Sequence, residues 1–224
     1  MAIQKAGSME DKKMRRVIRN HLVAIVVASA LIDAVVAAPD LDAGKQLFDS
    51  CATCHGSAGE GNPALNVPVS AGQSAWYVQR QLNNFRLGLR GAHPDDIHGS
   101  QMAAVAMTLQ DPQAIEDVSA YIETLPLITP DPTFLSANIA AGKAVYVMCA
   151  SCHGANGEGI RNLNAPRLSH QFDWYTAQQL ENFREGLRGT HQKDFYGQQM
   201  RNMSMVLTDD AQIKDVSAYI STLN

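Results

Sequence analysis

Cys51-Ala52-Thr53-Cys54-His55-Gly56 returns as Cys149-Ala150-Ser151-Cys152-His153-Gly154, and the offset of 98 residues holds along the rest of the chain without insertion. Gly44-Lys45 meets Gly142-Lys143, Gly59-Glu60-Gly61 meets Gly157-Glu158-Gly159, and Pro68 meets Pro166. From Trp76 to Gly91, eleven of sixteen positions are identical to Trp174 to Gly189, and Asp117 to Ile122 equals Asp215 to Ile220 throughout. Solenoid units run about 20–50 residues, so a period this long is a duplicated domain. Between the copies, Leu125 to Pro132 carries three prolines within seven residues, which favours an extended connection over a helix. The expected division is residues 38–130 and 131–224, behind an N-terminal segment 1–37.

Each copy reads as all-α. Leu41, Lys45, Leu47 and Phe48 fit a short helix leading into Cys51. Trp76, Tyr77, Arg80, Gln81 and Asn84-Phe85 fit a second, with Ser74 as N-cap and Gly88 near its end. Asp111-Pro112 is an N-cap followed by proline at N1. It opens a third helix with Ile115, Val118, Tyr121, Ile122 and Leu125 on one face. The stretches 56–73 and 91–110 read as loops, long ones for so small a domain unless something packs inside them.

Cys-x-x-Cys-His is the attachment signature of c-type haem. Two cysteines three apart on one helical turn can present both thiols to the two vinyl groups, and the adjacent histidine can turn its ring to the iron. The motif therefore predicts two covalent haem c groups, held by Cys51, Cys54, Cys149 and Cys152 with His55 and His153 on the irons. A thioredoxin-like pair would belong near a βαβ pattern, which is missing. A zinc site would need four ligands around each motif and leaves two copies with an invariably placed histidine unexplained. For the sixth ligand both copies offer Met102/Met200, Met107/Met205 and His93/His191. A thioether opposite the histidine raises the potential. Met102 and Met200 follow Gly99 and Gly197 in an expected loop, whereas Met107 and Met205 sit with Val105 and Leu109 in a pattern that suits core packing. The reading favours Met102 and Met200.

Lys5, Lys12, Lys13, Arg15, Arg16 and Arg19 precede an apolar run, Leu22 to Ile32, and the small residues Ala34 to Ala38. That order is a secretory signal, cut after Ala37. Asp33 interrupts the run short of the roughly 18 apolar residues a membrane span needs, which disfavours a retained anchor. Without residues 1–37 the net charge is −7, so nucleic acid is excluded as a partner on charge. Residues 38–130 carry −6 of it and residues 131–224 only −1. The expectation is that the first copy steers basic partners and holds the haem of lower potential.

The chain resembles the cytochrome c4 family, periplasmic di-haem carriers built of two class I cytochrome c domains in tandem. The resemblance rests on both C-x-x-C-H-G sites, on Tyr77, Gln81-Leu82, Phe85-Arg86, Gly88 and Arg90 with their partners Tyr175 to Arg188, and on a methionine seven residues before a leucine that precedes the final helix. It implies axial Met102 and Met200, a pseudo-twofold between domains, and haem propionates facing across the interface. Arg86, Arg90, Arg184 and Arg188 would be their partners, or else exposed helix arginines. The loop at 91–99, with His93 and His98, departs from the family's pattern, and no role is carried over to either histidine. The function this implies is electron transfer between respiratory redox proteins, such as a quinol-oxidising complex or periplasmic donor and a terminal oxidase. The alternative is the cytochrome subunit of a periplasmic dehydrogenase, taking electrons from a flavin or another redox subunit. An enzyme would need an open iron position or a substrate pocket with an acid or base beside it, and no residue pattern suggests either. The expectation is thus an electron-transfer protein with no small-molecule substrate, in the periplasm, with membrane-surface association left open.

Overall fold

The computed structural model describes residues 37–224. The expected signal segment lies outside the described residues apart from Ala37. Residues Pro39–Asn224 form a single unit in which the repeat appears as two four-helix halves. The first half holds α1 (Leu41–His55), α2 (Ala75–Arg86), α3 (Ile97–Ala106) and α4 (Pro112–Thr124). The second holds α5 (Ile139–His153), α6 (Asp173–Arg184), α7 (Phe195–Ser204) and α8 (Asp210–Ser221). Among the described residues no β-strand forms, only the isolated bridges Asn62–Val67 and Ile160–Ala165.

Local chemistry starts these helices as the sequence indicates. Asp40 accepts from the amides of Asp42 and Ala43 at the head of α1, and Asp111 accepts from Gln113 N at the head of α4 with Pro112 behind it. Ser74 precedes α2 without making a side-chain cap. In each half the first and last helices cross. An added Cβ at Gly44 would meet the Asp117 carbonyl, and one at Gly142 the Asp215 carbonyl, so only glycine permits the approach. Across each crossing lies an aromatic pair, Phe48–Tyr121 at 5.5 Å and Tyr146–Tyr219 at 5.4 Å. Asp117 accepts from Asp40 N and Asp215 from Asn138 N, tying the start of the first helix to the last one. Ile115, Val118 and Ile122 are buried on the expected face of α4, as are Ile213, Val216 and Ile220 on α8. Each contributes about 1.5–3 kcal/mol by leaving water.

Two expectations are corrected. The stretch 91–110 is not a loop: Asp96 accepts from Gly99 N and opens α3, and Asp194 accepts from Gly197 N and opens α7. An Asp able to reach the amide three residues on is a capping signal, masked in the first half by the weak apolar periodicity of Ile97 to Ala106. The motif helix is also longer than expected, running through Cys51 to His55 itself.

The connection between the halves is extended, and it is held. Leu125 and Ile128 pack against Val69, Ala71 and Phe172. Farther on, the fully buried Asp173 accepts from Thr133 N (2.7 Å), Thr133 Oγ1 (2.6 Å), Phe134 N (2.8 Å) and Trp174 N (2.7 Å). The repeat places Ala75, which has no carboxylate, at the matching position of the first half.

Candidate cofactor sites

A cavity of about 730 Å³ runs through both halves. The helix that ends in each motif forms one wall, because Gly56 and Gly154 turn out of it with φ of 80° and 86°. Their left-handed backbone lets the chain double back beneath the histidine. That return brings Pro68 and Pro166 against the rings: His55 Nδ1 lies 3.0 Å from Pro68 O and His153 Nδ1 2.8 Å from Pro166 O. A carbonyl can only accept, so Nδ1 carries the proton and Nε2 keeps its lone pair for the cavity. Burial holds both imidazoles below the ordinary histidine range, against the upward pull of the carbonyl bond. Burial also raises the Cys51 and Cys149 thiols, while Cys54 and Cys152 are exposed. All four sulfurs line the cavity, and none pairs with another in a disulfide.

Met102 on α3 and Met200 on α7 line the same cavity. They do so from helices rather than loops. Met107 and Met205 are 58% and 56% exposed and line none of it, so the core-packing role expected for them fails. His93 and His191 also lie outside it, each accepting a backbone amide two residues on, from Asp95 and Lys193. Among the described residues no three His, Cys, Asp or Glu side chains converge as zinc would require.

The expected arginines divide. Arg86 donates to Asn83 and to Gln110 O, and Arg184 pairs with Asp210 at 2.6 Å; neither lines the cavity. Arg90 and Arg188 are buried at the junction of the halves. Arg90 donates to Gln81 of its own half and to Tyr175 and Gln179 of the other. Arg188 returns the pattern to Gln179, Tyr77 and Gln81. Smaller bonds complete the seam: Gln171 grips Val69 through both its N–H and C=O, Gln73 donates to Arg167 O, and Arg167 donates to Gly72 O. In the sequence Gln81 and Gln179 stand out only as identical polar positions within the repeat, and nothing in one copy alone says that they face another.

The donor set and the hollow fit a haem at each end. Paired thiols stand beside a histidine with a free Nε2, and Met102 or Met200 lines the same space. Several buried polar atoms in the cavity wall, Arg80 Nε and Nη1 and His98 Nδ1, have no partner among the described residues. A macrocycle with an apolar face and two carboxylates would meet both the walls and those donors.

Comparison with known proteins agrees. The cytochrome c family model matches residues 41–126 and again 139–224. Cytochrome c4 of Azotobacter vinelandii is 32% identical over 219 residues, covering 91% of this chain and 98% of that protein. A thiosulfate dehydrogenase electron acceptor of Stutzerimonas stutzeri (strain A1501) is 30% identical over 186 residues, covering 78% and 79%. The crystal structure of reduced recombinant cytochrome c4 from Pseudomonas stutzeri matches with a TM-score of 0.66 at 28% identity, covering 84% of this chain and all of that one.

Proposed function

As the chain belongs to the cytochrome c family and, within it, to the di-haem cytochromes c4, we propose that it relays electrons between redox proteins in the periplasm through irons held by His55 and Met102 in residues 38–130 and by His153 and Met200 in residues 131–224. The cofactors are two covalently bound haem c groups, attached through Cys51 and Cys54 and through Cys149 and Cys152, and the function is electron transfer. Bound haem supplies one-electron chemistry. The protein's part is to hold and tune it.

The observation that carries the ligand reading is that Met102 and Met200 line the cavity on which both motif histidines open, while Met107 and Met205 do not. The Pro68 and Pro166 carbonyls fix each histidine's tautomer and ring plane and make Nε2 a stronger donor. A thioether opposite favours the reduced iron. Iron held by both a histidine and a methionine of the chain would offer a substrate no place to bind, which supports a carrier over an enzyme. One continuous cavity joins the two ends, so both haem sites open on a shared space across which electrons can pass from one to the other.

For the partners, donors and acceptors of the respiratory chain are the first choice. A second reading, acceptor for a periplasmic dehydrogenase, is favoured by the likeness to the thiosulfate dehydrogenase electron acceptor. The test begins with the reduced-minus-oxidised spectrum of the holoprotein, which counts the haems. The weak long-wavelength Met–iron band of the oxidised form should halve in Met102→Ala and in Met200→Ala and persist in Met107→Ala. Loss of the band in Met107→Ala alone would overturn the ligand set.

A further inference from the structure

We propose that Arg80, carried by the first half, reaches into the second and holds a carboxylate of the haem bound there, making that haem the electron's lower-energy resting place. Four arginines line the cavity: Arg80, Arg90, Arg167 and Arg188. Three are committed to protein acceptors, Arg90 and Arg188 to the glutamine and tyrosine network and Arg167 to Gly72 O. Arg80 is not. Its Nη2 donates to Asn164 O at 3.0 Å, and its Nε and Nη1 are buried without a partner among the described residues.

Its contacts say which site it serves. Asn164 belongs to the second half, and so does Tyr196, whose ring centroid lies 4.5 Å from the guanidinium carbon. Tyr196 stands one helical turn before Met200 on α7. From its own helix Trp76 and Tyr77 stack against the guanidinium at 4.9 and 5.3 Å, holding the fork in place. Burial depresses its pKa somewhat, the cost of keeping such a group short of acceptors. A haem brings two carboxylates, the acceptor that the planar fork matches best.

The repeat supplies the contrast. At the position matching Arg80 the second half has Gln178, which also lines the cavity, and opposite it, in place of Tyr196, the first half has His98. The first haem therefore receives a neutral amide where the second receives a fixed cation. A cation beside a haem opposes the extra positive charge of the oxidised iron, so the second haem has the higher potential and electrons come to rest there. This inference rests on haem occupying both ends of the cavity and not on which side chain completes each iron.

The test is a redox titration of the holoprotein, each haem identified by nuclear Overhauser contacts to the β-protons of its own cysteines. Arg80→Gln should shift the reduction equilibrium of the second haem about tenfold towards the oxidised form, or about 59 mV for one electron, with the first haem moving much less. Arg80→Lys should restore most of the potential. Gln178→Arg, which is independent of whether Arg80→Gln loads haem well, should raise the first haem instead. An unmoved second haem in Arg80→Gln, equal shifts of both haems, or an unmoved first haem in Gln178→Arg would each overturn the proposal. The Met–iron band should persist in every variant, and its loss would report on the ligands rather than on Arg80.

Discussion

Arg90 and Arg188, one from each half, donate to the same carbonyl oxygen of Gln81, each at 2.9 Å, and share Gln179 Oε1 at 3.0 and 2.8 Å. Two buried cations thus meet over neutral acceptors, with Tyr77 and Tyr175 as the next partners. Gln81 is the joint. Gln81→Leu should remove two hydrogen bonds from charged donors and leave both guanidiniums short of acceptors, costing about 3–5 kcal/mol. Denaturant unfolding followed at the haem bands should then separate into two transitions, one per half. A single transition with an unchanged midpoint would mean that the apolar seam alone couples them.

Asp173 makes a different joint, between chain segments rather than halves. Four donors converge on its buried carboxylate. Asp173→Ala should cost about 3–5 kcal/mol, since it leaves several buried donors unpaired, and should open the connection to proteolysis between residues 127 and 138. Asp173→Asn keeps part of the set and should be milder. Equal protease resistance in all three proteins would show that the packing of Leu125 and Ile128 suffices.

Tyr146 occupies the position that Phe48 holds in the first half. Its hydroxyl donates to Gly154 O at 2.8 Å, and burial, with smaller contributions from nearby acidic groups, pushes its pKa up to about 12. The folded state therefore holds this proton more tightly than the unfolded chain, whose tyrosine titrates near 10. The stabilisation is full below about pH 10 and is lost as pH rises towards 12. Tyr146→Phe should cost about 1 kcal/mol at neutral pH and flatten the fall in stability between pH 10 and 12. The readout is the urea midpoint at a series of pH values; an unchanged alkaline slope would place its origin elsewhere.

How far the sequence reaches depends on what each feature needs to be seen. The duplication and the attachment residues are local and repeated, so two copies check each other, whereas the repeated Gly44 and Gly142 show their part in the helix crossing only in the fold. The buried face of α4 comes from helical spacing alone. α3 escapes such a reading because Ile97 to Ala106 has almost no amphipathic contrast: Ile97 and Val105 are exposed and much of the rest is Ala, Gly or Ser. A core role for Met107 fails because the chain leaving α3 holds it 58% exposed. Gln81, Arg80 and Asp173 act on the other half or on the connection. A one-dimensional reading finds such residues only as polar positions that a helix has no local reason to keep.

The unequal charge of the halves bears on docking. The first carries −6 over residues 38–130 and the second −1 over 131–224. Near the motif helices the difference is local: exposed Asp49 is matched by Val147, which is 70% exposed. Fields of this kind act on encounter and are screened beyond roughly 8–10 Å at ordinary ionic strength, so they change association rates more than they change the complex. A small basic cytochrome used as a probe should therefore exchange electrons through the first half, with a second-order rate that falls steeply with salt. Asp49→Val should slow that rate roughly two- to threefold at low ionic strength and reduce its salt slope. Val147→Asp should add a weaker, second route. Stopped-flow mixing at several salt concentrations reads all three proteins, and the charge asymmetry is irrelevant to docking if Asp49→Val leaves both the rate and its slope where they were.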